Sequence, residues 1–271
     1  MTRIAVIGGG RIGEALVAGL LESGRLTKDL VVVETHRERA DLIADRLGIR
    51  VTDDVTDAAV GADLLVIAVK PGDVDGVLAS LGKAELGDRD QVLVSLAAGV
   101  PTTRLEGKLP AGFPVVRVMA NTPMLVGQGM SVIAPGRYAR EEHLELVTEV
   151  LAAVGKVVTV AESQMDAVTA VSGSGPAYFF LVVEAMVDAG VGLGLTRDVA
   201  TRLVVQTMVG SAALLDESGQ TAAELRAAVT SPAGTTAAAM RELERGGLRS
   251  SFVEALFAAK QRSAEQGASV E

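Results

Sequence analysis

The residues best suited to chemistry fall in four short stretches. The first, Gly8-Gly9-Gly10-Arg11-Ile12-Gly13, sets glycines at positions 8, 10 and 13, the G-x-G-x-x-G spacing. Such a loop turns tightly, lets backbone approach a pyrophosphate and packs a helix on a strand, while free amides at the helix start face the anion. Glycine is common here, with 30 in the chain, so the spacing alone says little. Its position between the apolar run Ile4–Ile7 and a helical pattern makes it a dinucleotide-binding signal. The other stretches are Arg117-Val-Met-Ala-Asn-Thr-Pro123, Ser172-Gly-Ser-Gly-Pro-Ala-Tyr178 and Val229-Thr-Ser-Pro-Ala-Gly-Thr-Thr236, polar or Gly/Pro-rich between apolar flanks. In the last, Ser231 and Pro232 read as an N-cap and first helical residue. A helix start built of small residues offers several amides to an anion; an ordinary capped helix is the other reading.

What is missing narrows the chemistry further. The chain has no cysteine, which removes thiol nucleophiles, disulfides and Cys-based metal sites. Its two histidines, His36 and His143, leave little for a Ser-His-Asp triad or a His-rich metal site, so no metal is expected. His143, among Arg140, Glu141 and Glu142, reads as a surface residue, and His36 as a surface or adenine-edge residue.

The nucleotide preference is written twice, with opposite signs. Glu34 closes the second apolar run 21 residues after Gly13, where a carboxylate accepts from a ribose 2′-hydroxyl and repels a 2′-phosphate. Thr35, His36, Arg37 and Arg39 follow at once, and hydroxyl and guanidinium groups suit that phosphate. Arg37 and Arg39 read equally as a solvated helix face. NADPH is the expected cofactor, with NADH the alternative. Ala68-Val-Lys-Pro71 and Ser95-Leu-Ala-Ala-Gly99 close two further strands, whose carboxyl ends face the ligand in a doubly wound sheet. The expected cofactor contacts are therefore Ile7, Gly8, Gly9, Gly10, Arg11, Ile12, Gly13, Thr35, Arg37, Ala68, Val69, Lys70, Pro71 and Ala97. Lys70 bonds ribose or is simply solvated.

These loops need a scaffold, and the first 161 residues supply its pattern. Ile4–Ile7, Leu30–Val33, Leu64–Val69, Val92–Leu96 and Val115–Met119 are continuous apolar runs, the mark of parallel strands buried on both faces. Helical patterns alternate with them and end at Gly24 and Gly48, while Asp73 reads as an N-cap. Val132–Ala134 and Val157–Val160 read as two more strands. The fold class expected is α/β: an N-terminal doubly wound parallel sheet of Rossmann type over 1–161, followed by an all-α domain over 162–271. In the second domain Thr196 precedes a long helix, and Thr221-Ala-Ala-Glu224 and Ser251-Phe-Val-Glu254 both fit the capping box. Its helices are apolar on most sides, from Met186 to Val209 above all, which predicts a helical dimer interface; a tight bundle is the alternative.

Composition agrees. A 271-residue chain with 49% apolar and 22% charged residues folds, with room for about two domains. A net charge of −9 without a basic run argues against nucleic acid and anionic membrane surfaces as partners. The uncharged segment from Ala167 to Val183 is expected to be interrupted at Ser172–Pro176 and so not to span a membrane. The first apolar stretch is too short for a signal peptide, so a cytoplasmic protein is expected.

Taken in order, the Gly motif, Ala68–Pro71, Arg117–Pro123, Ser172–Tyr178 and Ser231–Thr236 with Ala237–Glu244 behind it resemble pyrroline-5-carboxylate reductase over essentially the whole chain. Two residues depart from the pattern: Ala120 stands where the family has Pro, and Ala233 where it has the first of two glycines. The resemblance implies reduction of 1-pyrroline-5-carboxylate to L-proline by NADPH or NADH, in a homodimer often assembled into a decamer. It implies Thr236 as the catalytic residue, its hydroxyl at the ring nitrogen, and Ser231, Gly234, Thr235, Thr236 and Ser174 around the substrate, with amides near Gly234 on the carboxylate. It also implies Asn121 along the cofactor. Imine reduction fits the shortage of histidine, because an imine arrives protonated or takes its proton from a hydroxyl or water. A β-hydroxyacid-type dehydrogenase would need an interior lysine in the second half, which offers only Lys260. A nucleotide sensor that has lost catalysis would carry a damaged loop, yet Thr235 and Thr236 are intact.

Overall fold

A computed structural model describes residues 2–84, 86 and 91–269. The chain runs β1 (Ile4–Ile7), α1 (Arg11–Glu22), β2 (Leu30–Val33), α2 (Arg37–Leu47), β3 (Arg50–Thr52), α3 (Val55–Ala59), β4 (Leu64–Ile67), α4 (Val74–Leu81), β5 (Val92–Ser95), α5 (Thr102–Glu106), β6 (Val115–Met119), β7 (Gly129–Pro135), α6 (Glu141–Ala152) and β8 (Gly155–Thr159). Helices follow: α7 (Met165–Val168), α8 (Gly175–Gly192), α9 (Arg197–Glu217), α10 (Ala222–Ala228), α11 (Thr235–Arg245) and α12 (Leu248–Ser269).

The eight strands form one sheet in the order β3-β2-β1-β4-β5-β6-β7-β8. Every pairing is parallel except β6 with β7. Alternation of side chains explains the continuous apolar runs. Ile4, Val6, Leu64 and Val66 pack on one face with Leu16, Leu20, Ile43 and Val147. Ala5, Ile7, Leu65 and Ile67 pack on the other with Ala58, Leu78 and Leu105. Both faces are covered, so polar alternation never appears in these strands. The strand order reverses between β1 and β4, where such sheets leave a crevice beyond the carboxyl ends.

Several expectations need correction. β3, α3 and α5 carry no apolar run or long period and were not foreseen: β3 is a three-residue edge strand, and α3 and α5 have five residues each. The Val132–Ala134 run is the middle of β7, which runs against its neighbour β6. Ser251 and Glu254 do not form a capping box; they lie inside α12, and the Ser251 hydroxyl donates to the Gly247 carbonyl one turn back at 3.2 Å. Asp73 makes no side-chain cap to α4. The box at Thr221 and Glu224 is formed, with the Glu224 carboxylate accepting from the Thr221 amide at 2.8 Å.

The segment expected to be interrupted at Ser172–Pro176 does leave regular α-helix there, through a π turn and a bend at Ser174, but the chain keeps its course into α8. Glu162–Gly192 is a run of 31 residues containing an 18-residue window of mean hydropathy 1.4, long and apolar enough to cross a membrane by those measures. The chain passes Ser172–Ser174 by widening into a π turn over Thr169–Gly173, where the Ser174 amide donates to the Thr169 carbonyl at 2.8 Å.

By contacts the chain divides into two compact units, one of residues 1–174 with 259–271 and one of residues 175–258. The 161/162 boundary expected from sequence marks where strands stop. The first unit runs further because Met165 is buried beneath β6 and β7 with Met119, Val132 and Ala134. Its C-terminal segment is fixed by the Ser263 hydroxyl, which is 2.7 Å from the Asp166 carboxylate.

Candidate functional site

In the first unit a cleft of about 640 Å³ opens at the β1/β4 reversal. It is lined by Ile7, Gly8, Gly9, Gly10, Arg11 and Ile12 from the first loop, by Thr35 beyond β2, and by Ala68, Val69 and Lys70 beyond β4. Ten of the expected cofactor residues are thus brought together.

The three motif glycines are needed for different reasons. Gly8 has φ +116°, and a Cβ there would meet the Ala68 carbonyl oxygen at 2.7 Å. A Cβ at Gly13 would strike the Gly8 carbonyl and come within 3.1 Å of Val6 on β1. Those two are demanded by the protein itself. A Cβ at Gly10 would meet no protein atom within 4 Å, which leaves open space on the cleft side of the loop that a ligand could approach. Gly10 also caps α1 with no side-chain partner, and among the described residues the amides of Gly10, Arg11 and Ile12 have no protein acceptor. Free amides at a helix start beside a side-chain-free surface fit a pyrophosphate.

The conflicting nucleotide signals resolve into distinct positions. The Glu34 carboxylate lines the cleft and is tied down by its own loop: one oxygen accepts from the His36 amide at 2.9 Å and lies 3.1 Å from the imidazole Nδ1. Thr35 and His36 line the cleft, whereas Arg37 is exposed at the start of α2 and does not. Arg39 is not a solvated face residue. Its Nε donates to the Gly9 carbonyl at 2.9 Å, and its guanidinium pairs with Glu14.

Gly13, Pro71, Ala97 and Asn121 also lie outside the cleft lining. Ala97 is buried at 2% exposure, at the turn after β5. Asn121 is committed to its neighbours: Oδ1 accepts from the Met130 amide at 2.8 Å, and Nδ2 donates to the Ser172 carbonyl at 3.1 Å. Pro176 explains the second bond. Having no N–H, it leaves the carbonyl four residues earlier without its helical donor, and Asn121 supplies one. Asn121 thereby braces the π turn that carries Ser174. Arg117, buried on β6, donates to Glu162 Oε1 at 2.6 Å and ties that strand to the first helical turn after β8.

Sequence reading missed the far wall, where Asp73, Gly76, Val77 and Ser80 follow one another at helical spacing along α4. That wall borders the buried face of α4, formed by Val74, Leu78 and Leu81, and Val77 belongs to both.

In the second unit, Ser231, Gly234, Thr235 and Thr236 lie together at the entry to α11. Here the helix start moves. Ser231 is not the N-cap; the cap is Gly234, and α11 begins at Thr235. Ser231-Pro232-Ala233-Gly234 is a β-turn closed by the Gly234 amide donating to the Ser231 carbonyl at 3.1 Å. Ala233 occupies the third position with φ +59°, which a type II turn normally gives to glycine. Gly234 therefore has no amide to offer an anion. Among the described residues, the amides left without an acceptor are those of Thr235, Thr236 and Ala237, in the first turn of an 11-residue helix.

Comparison with known proteins adds to this geometry. Residues 162–266 match a family model described as pyrroline-5-carboxylate reductase dimerisation. Residues 3–99 match one described as NADP oxidoreductase coenzyme F420-dependent. A pyrroline-5-carboxylate reductase of Mycobacterium leprae is 56% identical, covering 97% of this chain and 96% of that protein. The structure of a pyrroline-5-carboxylate reductase from Coxiella burnetii superposes with a TM-score of 0.94 at 36% identity, covering 98% of both chains. A Plasmodium falciparum pyrroline carboxylate reductase, solved with NADP bound, gives 0.86 at 28% identity, covering 98% of each.

Proposed function

Since the chain belongs to the pyrroline-5-carboxylate reductase family, NAD(P)H-dependent oxidoreductases that reduce the C=N bond of 1-pyrroline-5-carboxylate to give L-proline, we propose how its residues divide that work. The first-unit cleft takes the dinucleotide. The amides of Gly10, Arg11 and Ile12 hold its pyrophosphate at the start of α1, where the helix dipole favours an anion. NADPH is preferred, with Thr35 and His36 at the cleft and Arg37 exposed beside it about the adenosine phosphate, and with one Glu34 oxygen occupied by the His36 amide. When bound, the reduced nicotinamide supplies the hydride.

The substrate carboxylate is held by the amides of Thr235, Thr236 and Ala237, and the Thr236 hydroxyl meets the ring nitrogen. Ser231 and Ser174 complete the polar surroundings. The observation that carries this reading is the free first turn of α11, left open because the preceding turn consumes the Gly234 amide. No strong acid is required. The substrate arrives as an iminium, its N–H bonds the Thr236 oxygen, and the neutral amine formed takes its second proton from water. Orientation of that iminium supplies most of the rate.

We further propose that residues 162–271 form a homodimer, assembled further into a particle such as a decamer, in the cytoplasm and without nucleic-acid or membrane partners. The dimerisation match over 162–266 supports the pairing, as do the apolar side chains that α8, α9 and α12 expose. A partner's helices would cover the long apolar run, so length and hydropathy there need no bilayer.

Thr236→Ala tests the site. Loss of a hydrogen bond to a charged group predicts turnover lower by roughly 10- to 100-fold, with NADPH affinity retained. Unchanged steady-state kinetics would remove Thr236 from the mechanism.

A further inference from the structure

The Gly-rich loop is held from behind by a charged cluster that the cofactor reading leaves unexplained. Arg39, Ile43 and Arg46 lie on one face of α2, with Ile43 buried at 1% exposure. Arg39 donates through Nε to the Gly9 carbonyl at 2.9 Å. Both guanidiniums, of Arg39 and Arg46, pair with Glu14, a largely buried carboxylate in the first turn of α1. Arg39 is outside the cleft lining, while Gly9 and Gly10 are in it.

Two physical consequences follow. In a trans peptide the carbonyl and the next amide point to opposite sides. Arg39's grip on the Gly9 oxygen therefore turns the Gly10 N–H away from α2 and toward the cleft. A carboxylate in the first turn of α1 would also repel an arriving pyrophosphate. Two guanidiniums on one carboxylate leave that cluster with a charge of +1 instead of −1, so the repulsion becomes attraction.

We propose that Arg39, seated on Gly9 and Glu14, is a positioning residue for the pyrophosphate-binding loop and not a reader of the adenosine 2′-phosphate. This rests on the dinucleotide reading of the cleft. Arg39 thereby serves NADPH and NADH alike.

The test measures dissociation constants of NADPH, NADH, ADP-ribose and adenosine 2′-monophosphate for the wild-type protein and for Arg39→Met. The three ligands with a pyrophosphate are expected to weaken together, each by about tenfold, the scale of one lost charged hydrogen bond. Adenosine 2′-monophosphate, which lacks a pyrophosphate, is expected to bind as before. Arg39→Lys, which keeps a cation beside Glu14, is expected to recover part of the loss for all three. Weakening of NADPH and adenosine 2′-monophosphate with NADH intact would overturn the proposal, as would no change in any ligand. Loss of all four in Arg39→Met with no recovery in Arg39→Lys would also overturn it, since the defect would not be confined to the loop. Failure of the wild-type protein to bind either dinucleotide would instead sink the cofactor reading itself.

Discussion

The two compact units use similar apolar side chains in opposite ways. In the first, Ile4, Val6, Leu64 and Leu65 are at most 1% exposed, and each face of the sheet is closed by its own helices. In the second, helices α8 and α9 bury only Gly175, Val187 and Ala200, while Phe180 and Phe257 stand 66% and 71% exposed. Composition cannot tell these regions apart, but packing does. The first unit completes its core within one chain; the second presents apolar surface on a scale that soluble monomers rarely leave open. The apolar helix faces legible in the sequence from Met186 to Val209 are largely exposed in the fold, within a segment that matches a dimerisation family model.

The sharpest way to break this contrast is a charge on each unit. Phe180→Asp is expected to raise the dimer dissociation constant at least about 100-fold, because an interface closing over it would bury an unpaired carboxylate. Leu42→Asp, at a first-unit leucine 64% exposed, is expected to leave the sedimentation coefficient unchanged. Equal behaviour of the two variants would mean that the second unit needs no partner.

A smaller effect sits at the turn before α11. Ala233 holds φ +59°, where a Cβ costs roughly 1–2 kcal/mol. Ala233→Gly is expected to raise unfolding stability by up to about 1 kcal/mol, the gain being offset in part by the greater freedom of glycine in the unfolded chain. A loss of stability on chemical denaturation would show that the turn depends on the methyl group.

The smallest concerns pH. The Thr221 amide, and then its hydroxyl, hold the exposed Glu224 carboxyl below the ordinary carboxylate range. A depressed folded value contributes stability above the unfolded pKa and loses it as pH falls through the lowered one. Amide exchange at the start of α10 is expected to be faster in Glu224→Gln than in the wild type at neutral pH, with the difference closing in acid. A difference that persists below the carboxylate range would assign the effect to packing instead.

Much of the first unit was legible because its strands are buried on both faces and its loops carry glycines with individual duties. Gly8 and Gly13 answer to neighbouring backbone, while Gly10 borders open space in the cleft. What escaped was either too short to carry a period, as in β3, or a matter of which partner a group chooses. Nothing in the order of residues says that Arg39 turns to Gly9 instead of solvent, or that Asn121 serves the carbonyl orphaned by Pro176. The entry to α11 was misread by three residues for a related reason. Ser-Pro is a common helix opening, but here the Gly234 amide closes a turn first, and that shifts the free amides onto Thr235, Thr236 and Ala237.

The most direct measurement is a crystal structure of the protein with L-proline bound. Carboxylate density on the amides of Thr235, Thr236 and Ala237, with the ring nitrogen at the Thr236 hydroxyl, is the predicted result. Well-defined proline density at any other place, with that helix start bare, would contradict the assignment.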